Sequence, residues 1–491
     1  MSESTSRSVA IIGAGAAGAA AAAAFDAEDA FDIIQVFERR ETPGGTWIYD
    51  PDPARPSQLQ PGKNPPDVDP PLRVPQTLPA ATAPTEQTRF DRTPIYEGLT
   101  TNVPEIIMSL SDERFAYGPF APHWVPKQYI QNYFASHHTD RFLVLNTTVE
   151  DVTRERDNWR LTLRRHDPTQ KVDIWWAEHF DALVIANGHY SIPYIPKVDG
   201  LDEFMEKYPG RVAHSKFYRS PTHYPGGKIL IIGNSASGYD ITTQFAQSGI
   251  VALPVYQSRR SPSRWDGRDP PPGVVWKPVI TSYSSSGTIH FADGSHLDDI
   301  DTVIYCTGYK PSFPFWNSHA NGGEIYDYQE SKLDAFYQHT FSTKWERSLG
   351  IIGIPRVLTF RSFEYQAIAL ARLFCGREAR CLPCIPEQRD WEKKRVAKCQ
   401  QEGRLFHTIL WDDGETMEWF RYLFEVAGLP GLEGKGRYPP QLTREQRWAF
   451  ENLRKYPEPG KGDRKYSIES DGWNLVGKEF EEKEQDSAWF I

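Results

Sequence analysis

Two glycine-rich turns 220 residues apart constrain what this chain can fold into more than any other feature. The first, Gly13-Ala14-Gly15-Ala16-Ala17-Gly18, follows an apolar run at 9–12 and precedes a helix-forming stretch at 19–25, with another strand-like run at 31–37. This is the start of a βαβ unit. Its glycines let the backbone turn tightly and approach a ligand, and the helix start offers amide groups and a positive dipole end to a pyrophosphate. Glu38 lies 20 residues beyond Gly18, at the end of the second strand, where a carboxylate accepts hydrogen bonds from ribose hydroxyls.

The second turn, Gly233-Asn234-Ser235-Ala236-Ser237-Gly238, again separates a strand-like run (229–232) from a helical one (239–247), followed by a strand-like run at 251–256. Ser235 replaces the middle glycine, so a phosphate stands slightly farther from the backbone and a serine hydroxyl can bond to it. The position equivalent to Glu38 carries Arg259, with Arg260 next to it. An acid there would repel a 2′-phosphate, whereas an arginine pairs with it; the second fold is expected to prefer NADPH over NADH, and the first to suit the adenosine of FAD. The alternative for Arg259 and Arg260 is solvated surface charge.

At 491 residues the chain is long enough for two cores, and its net charge of −10 argues against an electrostatic grip on nucleic acid. No stretch has the length and apolarity of a transmembrane segment, the first eight residues do not read as a signal peptide, and Trp489-Phe490-Ile491 resembles no tail anchor. Five scattered cysteines fit a reducing compartment, so the protein is expected to be cytoplasmic. Prolines crowd residues 50–94 and exclude regular helix or a central strand, leaving a long extended loop. Strand-like runs return at 142–145, 160–163 and 182–186, the last leading into Asn187-Gly188. The run Thr302–Tyr305, ending at Cys306-Thr307-Gly308, reads as a return to the first sheet. Beyond about residue 360 the chain is rich in helix formers.

The expected architecture is therefore α/β, with two Rossmann-like dinucleotide-binding domains and C-terminal helices. The FAD domain would span 1–190 and 309–491, with the NADPH domain, 191–308, inserted into it.

Between the glycine turns, the stretch from Tyr208 to Tyr218, with Gly210 and His214, resembles the FxGxxxHxxxY/F signature of flavin-containing monooxygenases, differing only at the opening Phe. Gly44-Gly45-Thr46-Trp47, Thr101-Asn102-Val103-Pro104, the segment from Cys306 to Tyr309, and Phe363-Glu364-Tyr365-Gln366-Ala367 are similar to further landmarks of that family, in family order. Baeyer-Villiger relatives usually carry Trp at the signature's last position, followed by Pro or Asp; Tyr218-Arg219 sets this chain with the heteroatom oxygenases.

The resemblance implies hydride transfer from NADPH to FAD, addition of dioxygen to give a C4a-hydroperoxyflavin, and oxygenation of nitrogen or sulfur in a small-molecule substrate. It also implies a homodimer at the level of a family expectation. Asn102 is the expected catalytic residue, beside the flavin, where its amide can donate and accept without ionising. Expected cofactor positions are Gly13, Gly15, Ala16, Gly18, Glu38, Arg39, Gly45, Thr46, Trp47, Asn102, Val149, Gly188, His214, Gly233, Ser235, Ser237, Gly238, Arg259, Arg260, Thr307, Gly308 and Gln366; no metal is expected. His214 is expected to support the domain junction and NADPH site rather than to move protons. Rival readings are a flavin disulfide reductase or thiol oxidase using Cys381 and Cys384, a Baeyer-Villiger monooxygenase, and a catalytically silent FAD-binding module with the proline-rich loop as its contact surface.

Overall fold

The computed structural model describes residues 7–53, 59–87, 89–263, 266–355, 357–431, 434–453 and 455. Trp489-Phe490-Ile491, the start of the chain through residue 6, and Pro56 of the proline-rich segment lie outside the described residues.

Alternation along the first strand, Ser8–Ile12, determines how the first sheet is buried. Val9 and Ile11 enter one apolar core while Ala10 and Ile12 enter another, as required of a strand covered on both faces. Around it a seven-stranded sheet runs in the order Phe336–Tyr337, Phe341–Ser342, Leu349–Ile351, Ala182–Ile185, Ser8–Ile12, Ile33–Phe37, Leu143–Val144. Its strands are parallel from Leu349–Ile351 onward. The first two, joined by antiparallel pairing, form an edge ribbon. The helix Ala16–Ala27 is buried from Ala16 to Phe25, its small side chains allowing close approach of the helices Phe360–Phe374 and Trp124–Ser136. Gly18 shows how close: a Cβ there would stand 1.9 Å from the carbonyl oxygen of Gly13.

The second sheet has five parallel strands in the order Val212–His214, Thr302–Tyr305, Lys228–Ile232, Ala252–Ser258, Val274–Lys277. The same two-residue alternation appears, with Ile229 and Ile231 facing one core and Leu230 the other. Here the sequence reading needs correction: Thr302–Tyr305 is the second strand of this sheet, and the chain rejoins the first sheet only later, through the edge ribbon Phe336–Tyr337 and Phe341–Ser342 and then the parallel strand Leu349–Ile351. Both runs are short and mostly apolar, and residue pattern alone does not say which sheet such a strand completes.

A four-stranded antiparallel sheet (Ala80–Thr82, Val172–Phe180, Asn158–Asp167, Thr148–Glu155) lies in sequence between strands of the first sheet. The proline-rich segment is less irregular than expected. It contains one helical turn, Pro65–Val68, with proline in the first turn where its missing N–H costs nothing, and the edge strand Ala80–Thr82. Farther on, the helix Glu415–Ala427 packs on Phe360–Phe374, with Phe420 stacked on Tyr365 at 4.4 Å.

Candidate active site

Each glycine turn opens a helix that no side chain caps: Ala16–Ala27 after Gly15, and Ala236–Ser248 after Ser235. In both, the first glycine has a positive φ (106° at Gly13, 109° at Gly233) that other residues rarely adopt, and the last glycine lies against its carbonyl. Both helix starts thus present backbone N–H groups where an anion can bind.

The first turn opens onto a cavity of about 1140 Å³. Gly13, Gly15, Ala16, Glu38, Arg39, Gly45, Thr46, Trp47, Asn102, Val149 and Gly188 line it, and so does Ser237 from the second glycine turn. The cavity therefore reaches both nucleotide folds. Glu38 is buried, with one carboxylate oxygen accepting from the Ala14 N–H (2.9 Å) and the other from the Arg40 N–H (2.9 Å). Each oxygen keeps a lone pair for a sugar hydroxyl. Gly45 backs onto Gly15 so closely that a Cβ would meet the Gly15 Cα at 2.8 Å, which fixes the Gly-Gly-Thr-Trp turn against the phosphate-type loop. Asn102 is exposed at the wall, and Trp47 packs edge-on against Phe360 with ring centroids 6.3 Å apart.

Other expected residues stand behind the wall. Gly18, Gly233 and Gly238 serve close backbone packing. His214 is fully buried; its Nδ1 accepts from the Lys216 N–H (3.1 Å) and its Nε2 donates to the Gly308 carbonyl (3.0 Å). Burial lowers its pKa to about 3, so it is neutral and joins a strand end to the Gly308 turn. Thr307 donates to the Tyr194 carbonyl. Gln366 is also buried, its amide accepting from Gly353 N–H and donating to Thr340 and the Ile354 carbonyl. It braces the Gly353 turn, which lines the cavity, and does not itself line it. Arg260 is exposed and away from the cavity lining.

Arg259 lies beyond the lining as well, beside the second glycine turn. Its guanidinium stacks on Trp276, 3.4 Å from the ring centroid, and donates to Asp266 at 3.1 Å. Asp266 is buried and also accepts from Asn234 of the glycine turn (2.7 Å). An acid therefore does sit near Arg259, seven residues beyond the place where sequence spacing looks for one.

Sequence reasoning missed two further features. Thr359, just before the helix Phe360–Phe374, lines the cavity with a strained backbone (φ 45°, ψ −108°) and a buried hydroxyl that has no hydrogen-bond partner among the described residues. Next, Thr85, Gln87, Arg89, Asp91, Arg92 and Thr93 of the proline-rich segment form a wall of the cavity. Arg89 pairs with Asp69 (2.7 Å) and Glu150 (2.8 Å), and Lys216 donates to the carbonyls of Arg92 and Ser191. Burial, with Arg39 and Arg219 nearby, lowers the Lys216 pKa to about 7. Such long-range pairings have no local sequence signal.

The family model of flavin-binding monooxygenase-like proteins matches residues 83–265 and 272–408. The chain belongs to this family. A model of NAD(P)-binding Rossmann-like domains also matches residues 11–58. Flavin-containing monooxygenase FMO GS-OX5 of Arabidopsis thaliana is 30% identical over 440 residues, covering 87% of this chain and 86% of the relative. In fold, the chain is similar to S-allyl-L-cysteine S-oxygenase from Allium sativum (TM-score 0.72, 24% identity, 91% of each chain). It is also similar to Tmm from Pelagibacter sp. strain HTCC7211 (TM-score 0.68, 22% identity, 90% of this chain and 89% of that one). This flavin monooxygenase is an oxidoreductase with an α/β fold of Rossmann-like sheets, and its family uses FAD and NADPH. Among the described residues no helix is long and apolar enough to cross a membrane.

Proposed function

We propose that the protein is an FAD- and NADPH-dependent monooxygenase that transfers one oxygen atom of O₂ to a soft nitrogen or sulfur atom of a small molecule. The observation that carries this reading is the cavity walled by the first glycine turn, Glu38, Trp47 and Asn102 and reaching Ser237 of the second turn. FAD suits the first fold. The uncapped helix start at Ala16 would hold its pyrophosphate, Glu38 its ribose, and the unpartnered hydroxyl of Thr359 a polar edge of the ring system. NADPH suits the second, with Ser235 and Ser237 at its phosphates and Arg259 at its 2′-phosphate. In domain terms, 1–190 and 309–491 would carry the flavin and 191–308 the nicotinamide cofactor.

When bound, the flavin supplies the redox chemistry. The chain's own residues would orient and protect it: Asn102 would offer it an uncharged amide, and the cavity wall that includes Thr85, Gln87, Arg89, Asp91, Arg92 and Thr93 would limit the access of water. The Allium sativum protein of similar fold is an S-oxygenase, and that likeness supports including a thioether among the first substrates tried.

The test is to load the purified protein with FAD and follow NADPH oxidation in air with a thioether, a tertiary amine and a cyclic ketone in turn. Sulfoxide or N-oxide formed in proportion to NADPH consumed is expected. A lactone as the main product would instead make it a Baeyer-Villiger enzyme, and failure to bind FAD at all would reject the flavin assignment.

A further inference from the structure

Three of the five cysteines, Cys306, Cys375 and Cys399, are buried, whereas Cys381 and Cys384 are both exposed. This exposed pair brackets Leu382-Pro383 at the head of the 18-residue helix Ile385–Glu402, and neither cysteine lines the cavity. The turn between them is held from inside the protein. Leu382 belongs to the main apolar core, and the buried Gln388 donates from its side-chain amide to the Pro383 carbonyl at 2.8 Å. Cys384 is the N-cap residue of the helix: its backbone N–H donates to the Glu387 carboxylate at 3.1 Å, and its thiol donates to the same carboxylate oxygen at 3.2 Å. That carboxylate stands where it can take the Cys384 proton as the sulfur attacks an oxidant, and a second thiol three residues away has the spacing that lets the oxidised sulfur be captured as a disulfide. Among the described residues no group of three or more His, Cys, Asp or Glu side chains is placed to hold a metal, so the pair lacks the further ligands of a structural zinc site.

We propose that Cys381 and Cys384 form a peroxide-oxidisable dithiol, a modification site separate from the cavity. The Cys384 sulfur attacks one oxygen of hydrogen peroxide, the O–O bond breaks, and a sulfenic acid and one water result. The Cys381 sulfur then displaces the sulfenic oxygen, which leaves with the Cys381 proton as a second water while the S–S bond forms. Two thiols thus give up two electrons and two protons, and one peroxide is reduced to two waters. Hydrogen peroxide is the class of oxidant required, and a flavin monooxygenase releases it whenever reduced flavin meets dioxygen without oxygenating a substrate.

The full chain, reduced and folded, is treated with hydrogen peroxide and then alkylated with a maleimide, with no NADPH present, so that the outcome does not depend on the proposed catalytic cycle. Before treatment two cysteines should be labelled, Cys381 and Cys384, and after it neither. Peptide mapping should then show one peptide containing both residues, lighter by two hydrogens than the reduced form and restored by dithiothreitol. Cys381→Ser should stop Cys384 at the sulfenic stage, trappable with dimedone, while NADPH oxidation by the variant stays at the parent rate. Unchanged labelling after peroxide would overturn the proposal. So would sulfinic acids on the separate residues, or disulfides that join two chains.

Discussion

Lowering the pH from 7.5 to 5 should remove a large share of this protein's stability through three neutral histidines, His214 and His339 buried and His407 half-buried. His214 accepts at Nδ1 and donates at Nε2, which is the pattern of a neutral ring. His407 accepts at Nε2 from the Leu333 N–H (2.9 Å), so its proton sits on Nδ1 and is donated to His339 Nδ1, 2.9 Å away. A proton added to His339 Nδ1 would face another N–H within a shell of Trp391, Phe406 and Trp419. Arg395, Arg404 and Lys332 stand nearby and oppose further positive charge. Burial, first, and these cations hold both rings neutral: His407 is lowered to about 3, as burial lowers His214, and His339 lies well below its ordinary value. The unfolded chain therefore binds more protons than the folded one below pH about 6.5, and the stability present above that pH is lost as pH falls toward the folded values. At pH 5 His214 and His407 each cost about 2 kcal/mol, and His339 adds to the loss in the same direction, against a typical total of about 5–15. Urea midpoints followed by tryptophan fluorescence at the two pH values measure this directly. His407→Gln, which keeps an acceptor for Leu333, should reduce the loss by about 2 kcal/mol; equal midpoints for the parent at pH 7.5 and 5 would refute the neutral-ring argument.

Arg259→Ala should weaken NADPH by about 1–3 kcal/mol, seen as a higher KM, and leave NADH nearly unchanged; equal losses would remove Arg259 as the 2′-phosphate partner. Asn102→Ala should raise the hydrogen peroxide released per NADPH while FAD stays bound, and an unaltered ratio would leave Asn102 as a turn residue. Arg437→Met should cost about 3–5 kcal/mol in urea unfolding, because it leaves the buried carboxylate of Glu364 without its 2.9 Å partner. Adding Glu364→Gln to that variant should recover part of the loss, whereas an additive further loss would contradict the ion-pair account.

What could be read from the sequence was whatever chemistry imposes on neighbouring residues. A pyrophosphate requires glycines at fixed offsets, so Gly13 to Gly18 and Gly233 to Gly238 stood out, and Glu38 falls at the cavity wall because a strand of known rise separates it from the turn. Residues brought in from afar carried no such offset. Thr359 enters the cavity from a helix start more than 300 residues beyond the first turn, and Asp266 meets Arg259 only because the chain folds back to Asn234. The misplaced strand Thr302–Tyr305 has the same origin: its short, mostly apolar run would suit either sheet, and pairing with Ile229–Ile232 was decided by packing alone.

The signature stretch that revealed the family acts, in this fold, as a clamp. Arg219 is almost wholly buried, yet its guanidinium is spent on carbonyl oxygens, donating to Asp50 (2.5 Å), Thr93 (3.0 Å), Lys216 (2.8 Å) and Tyr218 (2.8 Å), while the Asp50 carboxylate is taken by Arg40. Two of those carbonyls, at Asp50 and Thr93, belong to the two ends of the proline-rich segment, and Lys216 adds the carbonyl of Arg92. Carbonyls attract a cation without neutralising it, so the gain lies in geometry: a planar fork of donors fixes several backbone points at once, which the three rotatable donors of a lysine cannot do. The stretch that begins at Tyr208 thus holds the cavity wall at Arg92 and Thr93 against the second fold; His214 and Tyr218 stand behind the cavity lining, which the stretch reaches at Ser215.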